Sequence, residues 1–483
     1  MKFKSMKFNL IINVCNVVLY KIFPLITFPY ITRILLEEGV GKYNFTISCI
    51  SYFQLIAALG IVTYAIREGS KIRDNKQKFE VFARQIFEIN LMTMIIAYLI
   101  FMLFLIVNPL KQYTLMLIIY SAVLFFDTIG VSWIYSIYED FVYITIRNFI
   151  FQIISLVGLF VFVKDEQDVV KYIIITVISA GGSNILNFIH SRKYVKLLKF
   201  TPIYNITETL KPILIIFFAQ IASTIYLNMD TIMLGFMAND ASIGLYSAAT
   251  KINTVITTLI TAINAVVLPR LSYYVQSNEK KKFDELVKKV MKYYLFLTLP
   301  CIVGLLPITE QILTIFCGYR FVNASIAMKI MLIDLFFSLL NGFIAYQICI
   351  PYGNENEVLK STILGAVTNT ILNFILIPQY AQNGAAMATV LSEFTVFLSL
   401  IYFTKDVVKY KEIFDDLWQL LIATLAFIGI YFIIGIRIKN IFISVCVVIL
   451  LGGLLYLILL YKMNNYIIRC VETEAKRVVK RLR

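Results

Sequence analysis

Apolar stretches of about twenty residues follow one another along this whole chain, roughly fourteen in all. Each has the length a helix needs to cross the ~30 Å hydrocarbon layer of a bilayer. In lipid the backbone must satisfy its own hydrogen bonds, so successive spans of this kind predict an all-α integral membrane bundle. We place them at 9–30, 44–66, 86–107, 113–135, 143–163, 169–189, 212–236, 242–268, 292–317, 324–350, 358–377, 384–403, 415–436 and 440–461. With 60% hydrophobic residues over 483 positions and a mean hydropathy of +0.81, an ordinary soluble fold is excluded. Asn9–Tyr30 is too long for a signal-peptide core, and no small-residue cleavage site follows it. It reads as a retained first span.

The first twelve spans look like two copies of one six-span unit. Val40-Gly41-Lys42-Tyr43 and Ile243-Gly244-Leu245-Tyr246 each open a span after a short turn. Each span ends about 25 residues later at an arginine, Arg67 or Arg270, that begins a long basic loop, and both landmarks share an offset of 203 residues. A repeated membrane unit predicts two lobes that move against each other around a central site, which is transporter architecture. On this reading the six-helix lobes are 1–200 and 205–405, with an additional transmembrane hairpin at 412–465 and a basic cytoplasmic tail at 466–483. The basic connector 191–211, with Tyr194, Leu197 and Leu198 among its lysines, suits a helix lying on the cytoplasmic membrane surface.

A formal charge of +15 could suggest nucleic acid, but the charge is distributed by topology. With the N-terminus in the cytoplasm, about 33 of 44 Lys and Arg fall on the cytoplasmic side, against about 8 outside. That is the positive-inside pattern, with both termini cytoplasmic and added affinity for anionic membrane lipids. The seven cysteines show no CxxC spacing, and one histidine, His190, allows neither a His-based metal site nor a histidine relay. His190 is read as an interfacial residue. The external loops are short turns with no room for catalytic groups, and no HExxH, GxSxG, Walker or DxD-type constellation is present. An enzyme is therefore not expected. The Gly-rich pieces Ala180–Ser183 and Leu451–Leu454 lie within spans and read as close helix packing.

A charge near the middle of a span costs at least about 2.5–3.5 kcal/mol on insertion scales, so each needs a reason. The candidates are Lys21, Asp127, Asp230, Lys251, Lys329, Asp334 and Glu393, with Glu310 nearer an outer end. Asp230 and Lys251 sit at mirror positions of the hairpin whose turn centres near Asn239–Asp240. They could form a structural ion pair, or either could serve a substrate or ion. Lys21 precedes Pro24 and Pro29, which should bend or break the helix. Too deep to snorkel to its own cytoplasmic end, it is favoured as a cavity cation for a phosphate or acidic sugar. Arg33 is equally an anchor or a capture residue. Asp127 and Glu393 could titrate or bind Na⁺, or be neutral packing residues.

Several segments resemble the polysaccharide flippases, the Wzx-type transporters of lipid-linked O-antigen or capsule repeat units, grouped with the MATE exporters and the lipid II flippase MurJ. The strongest is Tyr352–Glu393, with a Gly-Asn turn, the pair Asn369 and Asn373, an LIP-x-Y exit and GAA-x-ATV-x-SE. The next is Asn228–Ile252, similar to the pattern D-x-x-x-LG followed by G-x-Y-x-AA-x-KI, and a third is FPYITRILLEEGVGKYNF followed by LGIVTYAIREGSKIRDN. Two residues depart from the pattern: Leu36 and Ala381 stand where the family commonly has glycine.

The resemblance implies two six-helix lobes around a central cationic cavity. It also implies transfer of an undecaprenyl-diphosphate-linked oligosaccharide from the inner to the outer leaflet of a bacterial cytoplasmic membrane, for O-antigen, capsule or exopolysaccharide synthesis. Candidate headgroup cations are Lys21, Arg33 and Lys251. Candidate coupling or gating residues are Asp127, Asp230, Glu393, Arg67 and Arg270. No cofactor or metal is expected beyond possible H⁺ or Na⁺ coupling. Expected partners are the lipid-linked substrate, membrane lipids, and a polymerase with other assembly proteins. The alternatives are a lipid II flippase, a MATE-like exporter and, from a different class, a membrane-embedded glycosyltransferase or polymerase.

Overall fold

The computed structural model describes residues 6–199 and 206–482, with side chains from residue 23 onward apart from a few positions. Every regular element among them is helical. The chain forms two compact units, Met1–Gly244 and Leu245–Arg483.

The first unit contains α1 (Met6–Ala58), α2 (Ile61–Ile72), α3 (Lys76–Phe104), α4 (Thr114–Gly130), α5 (Ser132–Ile137), α6 (Phe141–Phe162), α7 (Val169–Ser191) and α8 (Ile206–Met237). The start of α9 (Asp240–Thr261) closes it. The second continues with α10 (Asn264–Gln276), α11 (Lys280–Leu305), α12 (Thr309–Cys317), α13 (Ser325–Phe343), α14 (Glu355–Thr404), α15 (Lys411–Phe414), α16 (Leu417–Ile433), α17 (Ile441–Lys462) and α18 (Tyr466–Leu482). Eleven helices among the described residues are long and apolar enough to cross a membrane, or twelve if one bent pair counts as a span. Large apolar side chains such as Leu99, Val157, Phe374 and Leu450 stand exposed along them, as lipid-facing residues do.

Two of the candidate spans are 50 residues long, about 75 Å of helix and far more than a bilayer needs. Within them, α1 and α14 each contain one non-helical residue: Leu36 (φ 56°, ψ −173°) in α1 and Ala381 (φ 46°, ψ −124°) in α14. In α14 the chain doubles back there. The Ser361 and Ser399 hydroxyls meet at 2.8 Å, and a Cβ on Gly384 would lie 2.3 Å from the Leu376 carbonyl oxygen. These two positive-φ residues are the ones that replace the glycines of the resembled pattern.

Three local expectations are corrected. Pro24 and Pro29 do not break α1, whose non-helical residue is Leu36. In the connector, 192–199 form turns rather than a surface helix, because Tyr194, Val195 and Leu197 bury themselves in a core with Phe79, Ile86, Trp133 and Tyr135. The Tyr194 hydroxyl also donates to Asp140 at 2.7 Å. Finally, α16 and α17, whose near-absence of internal polar groups predicts lipid-facing helices, also pack on α11. There the Phe427 ring fills the space above Gly304 and Gly452, where added Cβ atoms would lie 2.9 and 2.5 Å from it. Gly181 and Gly182 likewise seat Phe126 and Phe151, which is the helix packing expected of these glycines.

Candidate functional site

The 203-residue repeat is present in the backbone. α1 ends at Ala58 and α9 at Thr261, while α2 starts at Ile61 and α10 at Asn264. Each second span of a half thus breaks at the same register and continues as a short helix. Leu59 (φ 44°) and Gly60 (φ 75°) make the first break, and the second bends the chain by 52°. Arg67 lies on α2, paired with Glu68 at 2.9 Å. Arg270 lies at the matching place on α10 and is exposed.

Within Met1–Gly244 the repeat produces a reciprocal corner. A Cβ on Gly41 would lie 1.8 Å from the Asp240 carbonyl oxygen, and one on Gly244 would lie 1.9 Å from that of Glu37. Gly41 and Gly244 are repeat mates, and so are Glu37 and Asp240. The glycines are required because each helix start presses backbone to backbone on the turn of its mate. Around this corner the Tyr113 hydroxyl donates to the Asp240 carboxylate. Phe45 stacks against Tyr113 at 4.5 Å between ring centroids and covers Gly235, where a Cβ would lie 2.1 Å from its ring.

In the same unit, Asp127 on α4 is exposed and accepts from Gln54 Nε2 at 2.9 Å and from Asn184 Nδ2 at 3.1 Å. Three helices, α1, α4 and α7, therefore converge on one carboxylate held by neutral amides. Gly130 makes the seat for Asn184, whose Oδ1 would be 2.5 Å from a Cβ there.

The second unit repeats the theme. Asp334 on α13 is buried and accepts from Asn253 Nδ2 on α9 at 3.1 Å. Glu393 on α14 accepts from Asn341 Nδ2 on α13 at 2.5 Å. Both Asp127 with Asp334 and Gln54 with Asn253 match the repeat offset to within four residues. An acid of α4 thus faces an amide of α1, and an acid of α13 faces an amide of α9.

Arg33 is exposed, and its Nη1 donates to the Pro29 carbonyl of its own helix at 2.6 Å. Lys251 is half-buried on α9, and Asp230 is buried on α8. The Lys21 side chain lies outside the described residues.

Two buried cations escape a search for mid-span charges. Arg147 on α6 is 8% exposed, with Nη2 on Asn148 Oδ1 at 2.6 Å, and it sits near the N-terminal end of its span. Lys292 on α11 is 6% exposed and bonds Asp416 at 2.5 Å. The amides Gln54, Asn184, Asn253 and Asn341 were also passed over. Their signal was a polar amide in the middle of an apolar run. His190 is not simply interfacial: it stacks on Tyr143 at 4.0 Å between centroids, with Nε2 3.8 Å from Asp140.

The family described as "Polysaccharide biosynthesis protein" matches residues 7–275, more than half of the chain. The chain belongs to that family. It is 22% identical over 388 residues to the Putative O-antigen transporter of Escherichia coli strain K12, covering 79% of this chain and 92% of that protein. It is 23% identical over 394 residues to the Capsular polysaccharide biosynthesis protein CapF of Staphylococcus aureus, covering 80% and 94%. Among solved structures it superposes on the lipid II flippase MurJ in an inward closed conformation with a TM-score of 0.77 at 18% identity, over 93% of this chain and 98% of that one. An inward-facing MATE family multidrug resistance transporter aligns with a TM-score of 0.60 at 13% identity, over 80% and 98%. The fold of this multi-pass membrane protein is thus the MurJ and MATE fold.

Proposed function

We propose that this protein flips an undecaprenyl-diphosphate-linked oligosaccharide repeat unit from the inner to the outer leaflet of a bacterial cytoplasmic membrane by alternating access. The observation that carries the reading is the family match, joined to relatives named O-antigen transporter and capsular polysaccharide biosynthesis protein that align over nearly their full length. Fourteen crossings fit the doubled chain at Ala381 and its counterpart at Leu36, with the termini in the cytoplasm under the positive-inside rule. In that orientation the Gly41–Gly244 corner is extracytoplasmic, and α2 and α10 with Arg67 and Arg270 are cytoplasmic.

Lys21, Arg33 and Lys251 are the proposed headgroup cations. Asp127 and Glu393, each within reach of neutral amide donors, together with Asp230, are the proposed sites of H⁺ or Na⁺ coupling. The lobe boundaries at 200 and 405 and the partnership with a polymerase belong to the same proposal.

The test uses purified protein in vesicles with labelled lipid-linked sugar. Relocation of the label without change of mass supports flipping, whereas a product of altered mass means an enzyme and overturns the reading. Lys21→Ala should abolish polymer formation in cells while the protein still inserts; normal polymer would remove Lys21 from the headgroup site.

A further inference from the structure

In the orientation proposed above, on which this inference rests, three helices of the second unit meet at the cytoplasmic membrane interface and each turn one stripe toward a shared cavity of about 510 Å³. α10 contributes Val266, Val267 and Arg270, α11 contributes Leu286, Lys289 and Val290, and α18 contributes Ile467, Cys470 and Val471. The spacings are those of one helix face in each case. The wall is apolar, and Arg270 and Lys289 supply its cations.

α18 is fixed in place beside it. Asn465 accepts from the Ile467 N–H at 3.0 Å and donates to Gln419 Oε1 at 3.0 Å, so the start of α18 is tied to α16. Lys292 lies 4.9 Å over the Tyr466 ring. On the same helix Lys288 pairs with Glu412 at 3.1 Å and Lys292 with Asp416 at 2.5 Å. Lys289, between them, lines the cavity.

The first unit has a second cavity of the same chemistry, about 330 Å³, at the end of α7. Phe188, Leu197 and Leu198 line it, with Arg192, Lys196 and Lys199.

We infer that the cavity between α10, α11 and α18 binds an anionic phospholipid of the inner leaflet, its acyl chain against the apolar wall and its phosphate on Arg270 and Lys289. An apolar wall gives a free phosphate nothing to bury, and it offers a peptide backbone no partners. A lipid satisfies both parts at once, and the site lies where headgroup phosphates and cytoplasmic cations meet. The recurrence of the same chemistry in the other unit fits a protein held at its cytoplasmic rim by such lipids.

The experiment titrates the full-length protein in detergent with phosphatidylglycerol, phosphatidylcholine, undecaprenyl phosphate or inorganic phosphate. Bound lipid is counted by native mass spectrometry, and maleimide reaction is followed on the peptide carrying Cys470. Phosphatidylglycerol should be retained over phosphatidylcholine and should protect Cys470. The preference should fall roughly fivefold for each cation removed in Arg270→Gln and Lys289→Gln. Equal retention of the two phospholipids, unprotected Cys470, or an unchanged preference in the double variant would overturn the site. So would competition by phosphate alone, or tighter binding of undecaprenyl phosphate. Should a variant fail to fold, Cys470 protection in the unmodified protein decides.

Discussion

Replacing Gly41 or Gly244 by alanine tests the reciprocal corner by the sign of its effect. In an open helix, glycine to alanine stabilises by about 1 kcal/mol, because alanine has the higher helix propensity. Gly429 and Gly453 are such positions, with nothing within 4 Å of an added Cβ. At the corner the added Cβ would sit 1.8 or 1.9 Å from a backbone carbonyl oxygen. Contacts under about 3 Å are not tolerated, so each turn must withdraw by roughly 1 Å, and the obstacle is main chain rather than a side chain able to rotate. Overpacking of this kind costs about 1–3 kcal/mol. Set against the propensity gain, Gly41→Ala and Gly244→Ala should come out destabilised by up to about 2 kcal/mol, while Gly429→Ala and Gly453→Ala rise. Because both contacts hold one corner, the double alanine variant should lose less than the sum of the singles. The assay is thermal unfolding in detergent, with flipping in vesicles measured in parallel. Corner variants as stable as the Gly429 and Gly453 controls would refute the backbone contact, and strict additivity would refute its reciprocity.

Ala381→Gly should stabilise the protein by about 1 kcal/mol, since relief of a sparsely populated conformation costing about 1–3 kcal/mol outweighs the entropy glycine adds to the unfolded chain; a lower melting temperature would contradict this. Gln54→Leu should destabilise by about 1–3 kcal/mol by leaving Asp127 short of a donor, whereas Asp127→Asn should keep stability within about 1 kcal/mol yet lose flipping; full flipping by Asp127→Asn would make it a packing residue. Asp168, outside the spans, takes backbone N–H bonds from Lys164 at 2.9 Å and Asp165 at 3.1 Å and pairs with Lys171 at 2.7 Å, and these hold its carboxyl down at about 2. Its stabilisation is therefore complete above the unfolded value near 3.9 and lost as pH falls toward 2. Asp168→Asn should accordingly melt lower than the parent at pH 7, with the gap closing in acid; a gap independent of pH would exclude the ionised contact.

The fold was legible because lipid leaves so few backbone solutions: apolar length alone located the helices. The repeat was legible for a narrower reason. Gly41 and Gly244 stand where backbones touch and an added Cβ would clash, so their spacing makes a landmark. The breaks were harder to see. Prolines drew attention at 24 and 29, but the helix tolerates them, and the chain turns at Leu36, a residue with no turn signature. The connector misled because alternating leucines and lysines suit a surface helix as well as a buried turn, and only tertiary burial of Tyr194 and Leu197 decides. At the site, formal charge marked Asp127 and Glu393 but hid what holds them. Neutral amides carry no insertion penalty large enough to stand out, and their partners lie 73, 57 and 52 residues away.

The repeat therefore supplies a symmetric frame with asymmetric chemistry placed in it. Helix breaks, the corner glycines and the acid–amide contacts of α4 and α13 recur in both halves. The mid-hairpin charges do not: Asp230 and Lys251 correspond through the 203-residue offset to Thr27 and Ser48. Those two are buried and neutral, and the Thr27 hydroxyl bonds back to the Phe23 carbonyl of its own helix at 3.3 Å. A hydroxyl satisfied by its own helix is indifferent to what faces it, whereas a buried carboxylate or ammonium is not. At these mid-hairpin positions it is therefore the second half whose energy depends on what faces it.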